Sequence, residues 1–208
     1  MAKHRRWVSG SERATIIELA RQRGAIAAAD LADAGIAREY LPRMARKGLM
    51  QRIARGRYRL PDTEITENHD LALFAAKVPN GVITLLSALT FHGIGTQIPH
   101  ELWVAVKARG RAPALTYPPL RYHYYSGAAY ELGIEQHLIE GVSVKVYSPA
   151  KTVVDCFRLR SKVGLDVALE ALKEGWQAKR FSVDELMSIA NACRIATVIR
   201  PHFEMLVA

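Results

Sequence analysis

Residues 29–61 read ADLADAGIAREYLPRMARKGLMQRIARGRYRLP. This stretch predicts a helix, a sharp turn, a basic helix and a β-hairpin, in that order. The first of these helices fits residues 28–34, and Gly35 supplies the turn because glycine adopts the left-handed backbone conformation at little cost. Ile36 then returns to the apolar side, and the basic helix continues to about Lys47. A helix, a turn and a basic helix are the elements of a helix-turn-helix.

The end of the same stretch alternates between apolar and polar side chains, as paired strands do. Residues 49–53 and 57–60 are the two predicted strands, with residues 54–56 as a tight turn in which Gly56 suits a positive φ. After a helix that ends at Gly24 and the two helices of the stretch, this hairpin is the wing of a predicted winged helix-turn-helix. Pro42 disfavours a helical residue before it and lacks a backbone donor, so the basic helix starts late or is irregular at its entrance.

Long charged side chains lie on the outer side of the basic helix and on the hairpin, where duplex DNA would meet them. The N-terminal half of a recognition helix approaches the bases, so Arg38, Glu39 and Arg43 are predicted to contact base edges. Cations at the end of the helix are predicted to reach phosphates, and those of the hairpin to occupy the tip of the wing. The predicted DNA-binding residues are Arg38, Glu39, Arg43, Arg46, Lys47, Arg52, Arg55 and Arg57.

The net charge of the chain is concentrated along the sequence. Residues 1–60 contain 14 Lys or Arg and 5 Asp or Glu, which gives +9, whereas residues 61–208 contain 15 of each. Most of the cations in the first part are arginines, which fork onto guanine and enter narrow minor grooves better than lysine does. This distribution indicates an anion-binding module at one end of the chain.

The remainder of the chain predicts a second domain, with the boundary after residue 62. Residues 1–62 are the predicted DNA-binding domain and residues 63–208 a mixed domain with a small sheet and several C-terminal helices, so the fold class is α+β. Ser148 followed by Pro149 is a strong helix start, and Ser182 with Glu185 forms a capping box. The predicted elements are a helix capped near Thr66, a helix over 84–91, strands over 102–106, 121–125 and 142–147, and helices over 151–160, 165–176, 182–192 and 197–207.

Two strings of the second domain, SALTFHGIGTQIPHELWVAV at 87–106 and SPAKTVVDCFRLRSKVGLDVALEAL at 148–172, resemble the AbiEi-type antitoxins of bacterial type IV toxin–antitoxin and abortive-infection systems. The pattern of residues 29–61 is similar to the family's helix-turn-helix and wing, apart from Ala37, where a Ser or Thr helix cap is usual. The resemblance covers nearly the whole chain. It implies a transcriptional repressor that binds inverted repeats in its own promoter. It also implies a second domain that counteracts a co-encoded nucleotidyltransferase-like toxin without a stable complex.

Two other functions stay open from the residues alone. Aromatic residues between Trp103 and Tyr130 would form a ligand cleft in a ligand-responsive repressor of another operon, although core packing explains them equally well. Lys151, Asp155 and Arg158 share a helix face and would be a polar site in an enzyme with a DNA-targeting arm. A surface row of ion pairs explains that spacing better, so no catalytic residue and no enzyme activity are predicted.

The sequence predicts no cofactor and no metal site, since its histidines lack ligand spacing and both cysteines lie in apolar helical surroundings. It contains no apolar run of the roughly 20 residues that a membrane span requires, so a cytoplasmic protein is expected. The predicted partners are double-stranded DNA and the toxin, with the chain a monomer or weak dimer on DNA.

Overall fold

The computed structural model describes residues 10–108 and 115–207, and the chain divides into two compact units. The first unit comprises Met1–Lys77 with Leu138–Ser143, and the second comprises Val78–His137 with Val144–Ala208. Both contain helices and strands, so the protein is of mixed α and β structure, as predicted. The division into functional domains after residue 62 stays a prediction, and residues 1–9 of its first part lie outside the described residues.

The first unit combines helices with an antiparallel sheet in the strand order β1-β3-β2. Its elements are α1 Gly10–Arg23, β1 Ala25–Ala27, α2 Ala28–Asp33, α3 Tyr40–Arg46, β2 Gln51–Ala54, β3 Arg57–Arg59 and α4 His69–Lys77. Its core joins the apolar faces of α1, β1, α2, α3 and β3, with Ile16, Leu31, Met44 and Tyr58 among the buried residues. The sequence did not predict β1, which pairs with β3 between Ala25 and Arg59.

Gly35 and Pro42 lie at the entrance to α3. Gly35 has a φ of 68° and makes the predicted turn. Helix α3 begins at Tyr40, so Leu41 is helical although Pro42 follows it. Pro42 is the third residue of the helix, where a backbone N–H would have no partner within the helix, so its missing donor costs no hydrogen bond.

The second unit is built on a five-stranded sheet in the order β6-β5-β4-β8-β7. Strand β4 is antiparallel to β5 and parallel to β8, and β5 is parallel to β6. The turn that joins β7 to β8 belongs to the first unit. The elements are β4 Val82–Ile83, α5 Leu85–His92, β5 Leu102–Lys107, β6 Leu120–Tyr125, α6 Ala128–Glu131, β7 Ile134–Ile139, β8 Val142–Tyr147, α7 Pro149–Arg158, α8 Arg160–Val163, α9 Leu165–Gln177, α10 Val183–Ala192 and α11 Ala196–Val207.

Helix α7 is the most deeply buried helix of this unit and packs against α5, α9 and α10. The Ser148 side chain accepts a hydrogen bond from the backbone N–H of Lys151, and Pro149 occupies the first turn, as the sequence predicted. Ser182 caps α10 in the same way through the N–H of Glu185. Within the described residues, every helix is too short or too polar to cross a membrane.

Candidate nucleic-acid interface

The N-terminal end of α3 carries two of the predicted base-contacting residues. Arg38 and Glu39 lie in the turn before the helix, with Glu39 as its N-cap residue, so their predicted position on the helix is wrong. Their side chains are 79% and 58% exposed, and Arg38 Nε lies 3.7 Å from Glu39 Oε1. An exposed pair at this distance is weak, which leaves the guanidinium able to exchange the carboxylate for another anion.

Helix α3 itself presents Arg43, Arg46 and Lys47 at its end. Arg43 is half-buried, and its guanidinium carbon lies 5.8 Å from the ring centroid of Tyr40, a cation–π arrangement that holds the side chain along the helix. Arg46 is the last helical residue and Lys47 the C-cap, and both are exposed. Cations here also suit the negative end of the helix dipole.

The segment Gln51–Arg59, which we call the arginine hairpin, presents the other predicted contacts. Strands β2 and β3 pair with a register shift between Arg52 and Ala54, and Gly56 has a φ of 74° in the turn. Arg52 and Arg55 are exposed and Arg57 is half-buried. Arg52 Nε donates to the carbonyl oxygen of Ala54 at 3.2 Å, which fixes its direction along the turn.

Arg59 differs from the other arginines of the hairpin and was absent from the predicted set. It is only 8% exposed, and its Nε donates to Gln51 Oε1 at 2.9 Å. Its Nη1 lies 3.4 Å from Glu140 Oε2. A buried guanidinium held on two sides positions a strand and is not available to bind DNA.

The charge is distributed less unevenly between the folded units than along the sequence. The first unit has 15 basic and 10 acidic residues and the second has 14 and 10, giving +5 and +4. The difference arises because Lys77 and the acids at 62, 64, 67, 70 and 140 belong to the first unit. The folded units therefore differ little in net charge, and the case for an anion-binding surface rests on the exposed cations around α3 and on the arginine hairpin.

The polar row on α7 is buried, so its prediction as a surface row is wrong. Lys151 and Asp155 have fully buried side chains, and Lys151 Nζ donates to Asp155 Oδ2. Arg158 Nη2 lies 3.4 Å from Asp155 Oδ1, and Lys151 Nζ lies 4.1 Å from the Tyr147 ring centroid. Burial lowers the pKa of Lys151 and raises that of Asp155, while the charge of each opposes the shift of the other.

The aromatic residues of the predicted cleft are divided between core and surface, because Trp103 and Tyr125 are buried whereas Tyr117 is 56% exposed. Trp103 is stacked on His123 at 5.0 Å between ring centroids. Burial, aided by nearby cations, lowers the pKa of His123 to about 4, so the ring is neutral at pH 7. Tyr124 faces outward and is 55% exposed. This arrangement favours core and sheet packing over a cleft lined by aromatic side chains.

Other candidate ligands are dispersed. His92 is the last residue of α5, and its Nε2 lies 2.8 Å from the carbonyl oxygen of Tyr147. Cys156 is buried, Cys193 is half-buried, and both are free thiols. Across the described ranges 10–108 and 115–207, His, Cys, Asp and Glu side chains do not gather in threes as a metal site requires.

Comparisons with known proteins support the likeness drawn from the sequence over residues 14–61, and its extension to the strings at 87–106 and 148–172 stays a prediction. Over nearly its whole described length the fold is similar to the crystal structure of the RV2827C protein from Mycobacterium tuberculosis, with a TM-score of 0.52 and 16% identity over 90% of this chain and 73% of that one. A search of curated proteins found no match. The family model described as "Transcriptional regulator, AbiEi antitoxin" matches residues 14–61. The segment that holds α3 and the arginine hairpin is therefore similar to the AbiEi antitoxin family of transcriptional regulators.

Proposed function

We propose that the chain is a DNA-binding repressor that acts as the antitoxin of a type IV toxin–antitoxin system and represses its own operon. One observation carries the DNA-binding part: the segment that matches the family presents Arg38, Arg46, Arg52 and Arg55 to solvent, next to a buried framework. Cations that pair firmly with protein acids do not bind phosphate, whereas exposed cations release counterions when they do. A DNA-binding role would place the protein in the cytoplasm, with the chromosome.

In this proposal the first unit is a winged helix-turn-helix, with α3 in the major groove and the arginine hairpin as its wing. Helix α3 has seven residues, so it is about 10 Å long, and an α-helix with its side chains is about 10–12 Å across, which fits the roughly 12 Å width of the major groove. Its approach to the bases would bring Arg38, Glu39 and Arg43 nearest to them. Arg46 and Lys47 would bind phosphates. The hairpin residues Arg52, Arg55 and Arg57 would contact the flanking DNA backbone or the minor groove.

The proposed partners are double-stranded DNA with inverted repeats, bound by a monomer or weak dimer, and a co-encoded nucleotidyltransferase-like toxin that is opposed without a stable complex. The second unit, which lies within the predicted domain of residues 63–208 but lacks residues 63–77 and 138–143, would supply the antitoxin activity. The protein would need no cofactor, metal or catalytic residue. The burial of the Lys151–Asp155 pair supports a non-enzymatic second unit, because both side chains are fully buried and paired in the core, out of contact with solvent.

The DNA-binding part is tested by fluorescence anisotropy with promoter and scrambled duplexes at several salt concentrations. We expect a steep log–log slope, and a loss of about two units when Arg55→Ala and Arg57→Ala are combined, if each neutralises one phosphate. Arg200→Ala, an exposed arginine on α11, is the matched control and should leave the slope unchanged. A flat slope in the unmodified protein would contradict DNA binding.

The antitoxin part is tested by growth of cells that express the neighbouring toxin gene. The full-length variant that combines Arg55→Ala and Arg57→Ala should still restore growth when expressed from an unrelated promoter, because neutralisation of the toxin is assigned to the second unit. Loss of rescue together with loss of DNA binding would contradict this division of roles. A neighbouring gene for a metabolic enzyme, with DNA binding altered by its substrate, would favour a ligand-responsive repressor instead.

A further inference from the structure

Glu140 lies in the turn between β7 and β8, and its side chain contacts residues that are 71 to 81 positions earlier in the sequence. Its side chain is 4% exposed. Its carboxylate accepts hydrogen bonds from the Thr66 N–H at 2.9 Å and the Thr66 hydroxyl at 3.1 Å, and lies 2.7 Å from His69 Nδ1. The fourth partner is Arg59 Nη1 at 3.4 Å. All four groups belong to the first unit.

Two glycines bring the turn close enough to make these contacts. A Cβ on Gly24 would lie 2.7 Å from the carbonyl carbon of Glu140, and one on Gly141 would lie 1.8 Å from the carbonyl oxygen of Arg23. Both glycines also have a positive φ, of 75° and 74°. The turn therefore lies directly on the backbone where α1 meets β1, an approach that side chains at either position would prevent.

The contact with Arg59 connects Glu140 to the candidate interface. Arg59 lies on β3, the middle strand of the three-stranded sheet, two residues after Arg57. Gln51 and Glu140 hold its guanidinium from two sides. Without the carboxylate, a buried cation would keep only a neutral amide partner, and the strand would move to expose it.

We propose that Glu140 is a positioning residue for DNA binding, and that residues 138–143 complete the DNA-binding unit although they follow β7 in the chain. The inference rests on the proposed function. Through Arg59, the carboxylate holds β3 in register, so that Arg55 and Arg57 meet the DNA backbone together. Through Thr66 and His69, it also fixes the start of α4 to the same sheet.

The test uses the full chain and compares Glu140→Gln with the unmodified protein. The control is Glu131→Gln on α6, where the carboxylate is 65% exposed. With each protein shown to be folded by circular dichroism at the assay temperature, anisotropy titrations at several salt concentrations should give a slope lower by one to two units for Glu140→Gln, and about tenfold weaker binding at low salt. The control should match the unmodified protein.

The salt slope separates positioning from stability alone. If the substitution only lowered stability, fewer molecules would be folded, and these would bind DNA with an unchanged salt slope. That result would overturn the proposal. Glu140→Gln should also lower the slope no further in a chain that already lacks Arg55 and Arg57. A further drop there would show that the carboxylate does not act through the arginine hairpin.

A second variant covers the case in which Glu140→Gln does not fold. Gln51→Ala removes the other anchor of Arg59 at an exposed position, so it should lower the slope in the same direction. An unchanged slope in Gln51→Ala would overturn the proposal. If the unmodified protein shows no salt-dependent DNA binding, the proposed function fails; if it binds and these variants bind with the same slope, only the positioning role fails.

Discussion

Lys151→Met should destabilise the second unit strongly at pH 7 and much less at pH 5. Methionine keeps much of the length of the lysine side chain, so the change removes the charge while largely preserving the packing against Tyr147. Asp155, which is fully buried, would keep Arg158 at 3.4 Å as its cationic neighbour but lose its direct hydrogen bond from Lys151. Breaking a buried pair on one side typically costs about 3–5 kcal/mol.

Protonation of Asp155 sets an upper limit on this loss and gives it a pH dependence. The pKa of Asp155 is already raised by burial, and removal of the lysine charge raises it further. Taking a carboxyl from its unfolded pKa of about 3.9 to the protonated form costs about 4 kcal/mol at pH 7 and about 1.5 kcal/mol at pH 5, at 1.36 kcal/mol per pH unit. In the variant, the folded state binds the proton that the unfolded state releases, so its stability rises as the pH falls through this window.

Urea unfolding followed by tryptophan fluorescence measures the effect, because Trp103 and Trp176 both lie in the second unit. The double variant Lys151→Met with Asp155→Asn is the control, since it lacks the titrating carboxyl and should show little change between pH 5 and 7. A loss below about 1 kcal/mol at pH 7 would refute the reasoning. So would a loss in the single variant that does not shrink toward pH 5.

Three further predictions concern the first unit. Arg43→Ala should lose about 1–3 kcal/mol of preference for promoter over scrambled duplex in competition titrations, and an equal loss on both sequences would contradict a base contact. Gly141→Ala should lower the urea midpoint more than Gly48→Ala does, because both have a similar positive φ (74° and 73°) but only the first would meet backbone atoms; equal midpoints would contradict the close approach. Burial alone would raise the pKa of Glu140, but hydrogen bonds from Thr66 and the contact with His69 outweigh it and hold the pKa below the ordinary 4.5. The stabilisation is therefore present above pH 4.5 and lost in more acid solution, so unfolding curves of the unmodified protein and Glu140→Gln should converge there, and a constant difference would contradict it.

Local patterns predicted the helices well because their signals lie within a few residues. Gly24 and Gly35 follow the ends of α1 and α2, and Ser148 and Ser182 cap α7 and α10. Between such end signals, the spacing of apolar residues indicates which face of each helix is buried. Strand β1 escaped prediction because three residues between two helices carry no alternating pattern. Its existence depends on pairing with β3, which no local signal reveals.

The environment of charged residues was harder to predict because spacing does not encode depth. Lys151 and Asp155 have the i, i+4 spacing of an exposed ion pair, and only the helices packed around α7 show that they are buried. Arg59 looks like its neighbours Arg55 and Arg57 in the sequence. Glu140, which buries it, lies 81 residues further along the chain, beyond the reach of any motif.

The place of Glu140 in the chain also determines when the first unit can be completed during synthesis. Thr66 and its carboxylate partner are separated by 74 residues, which a ribosome adds in roughly 4–15 s at about 5–20 residues per second. During that interval Arg59 on β3 and the backbone around Gly24, which residues 138–143 later contact, are exposed in the nascent chain. Helices α1 to α3 can form as they emerge, but a fully assembled first unit must wait until much of the second has been translated.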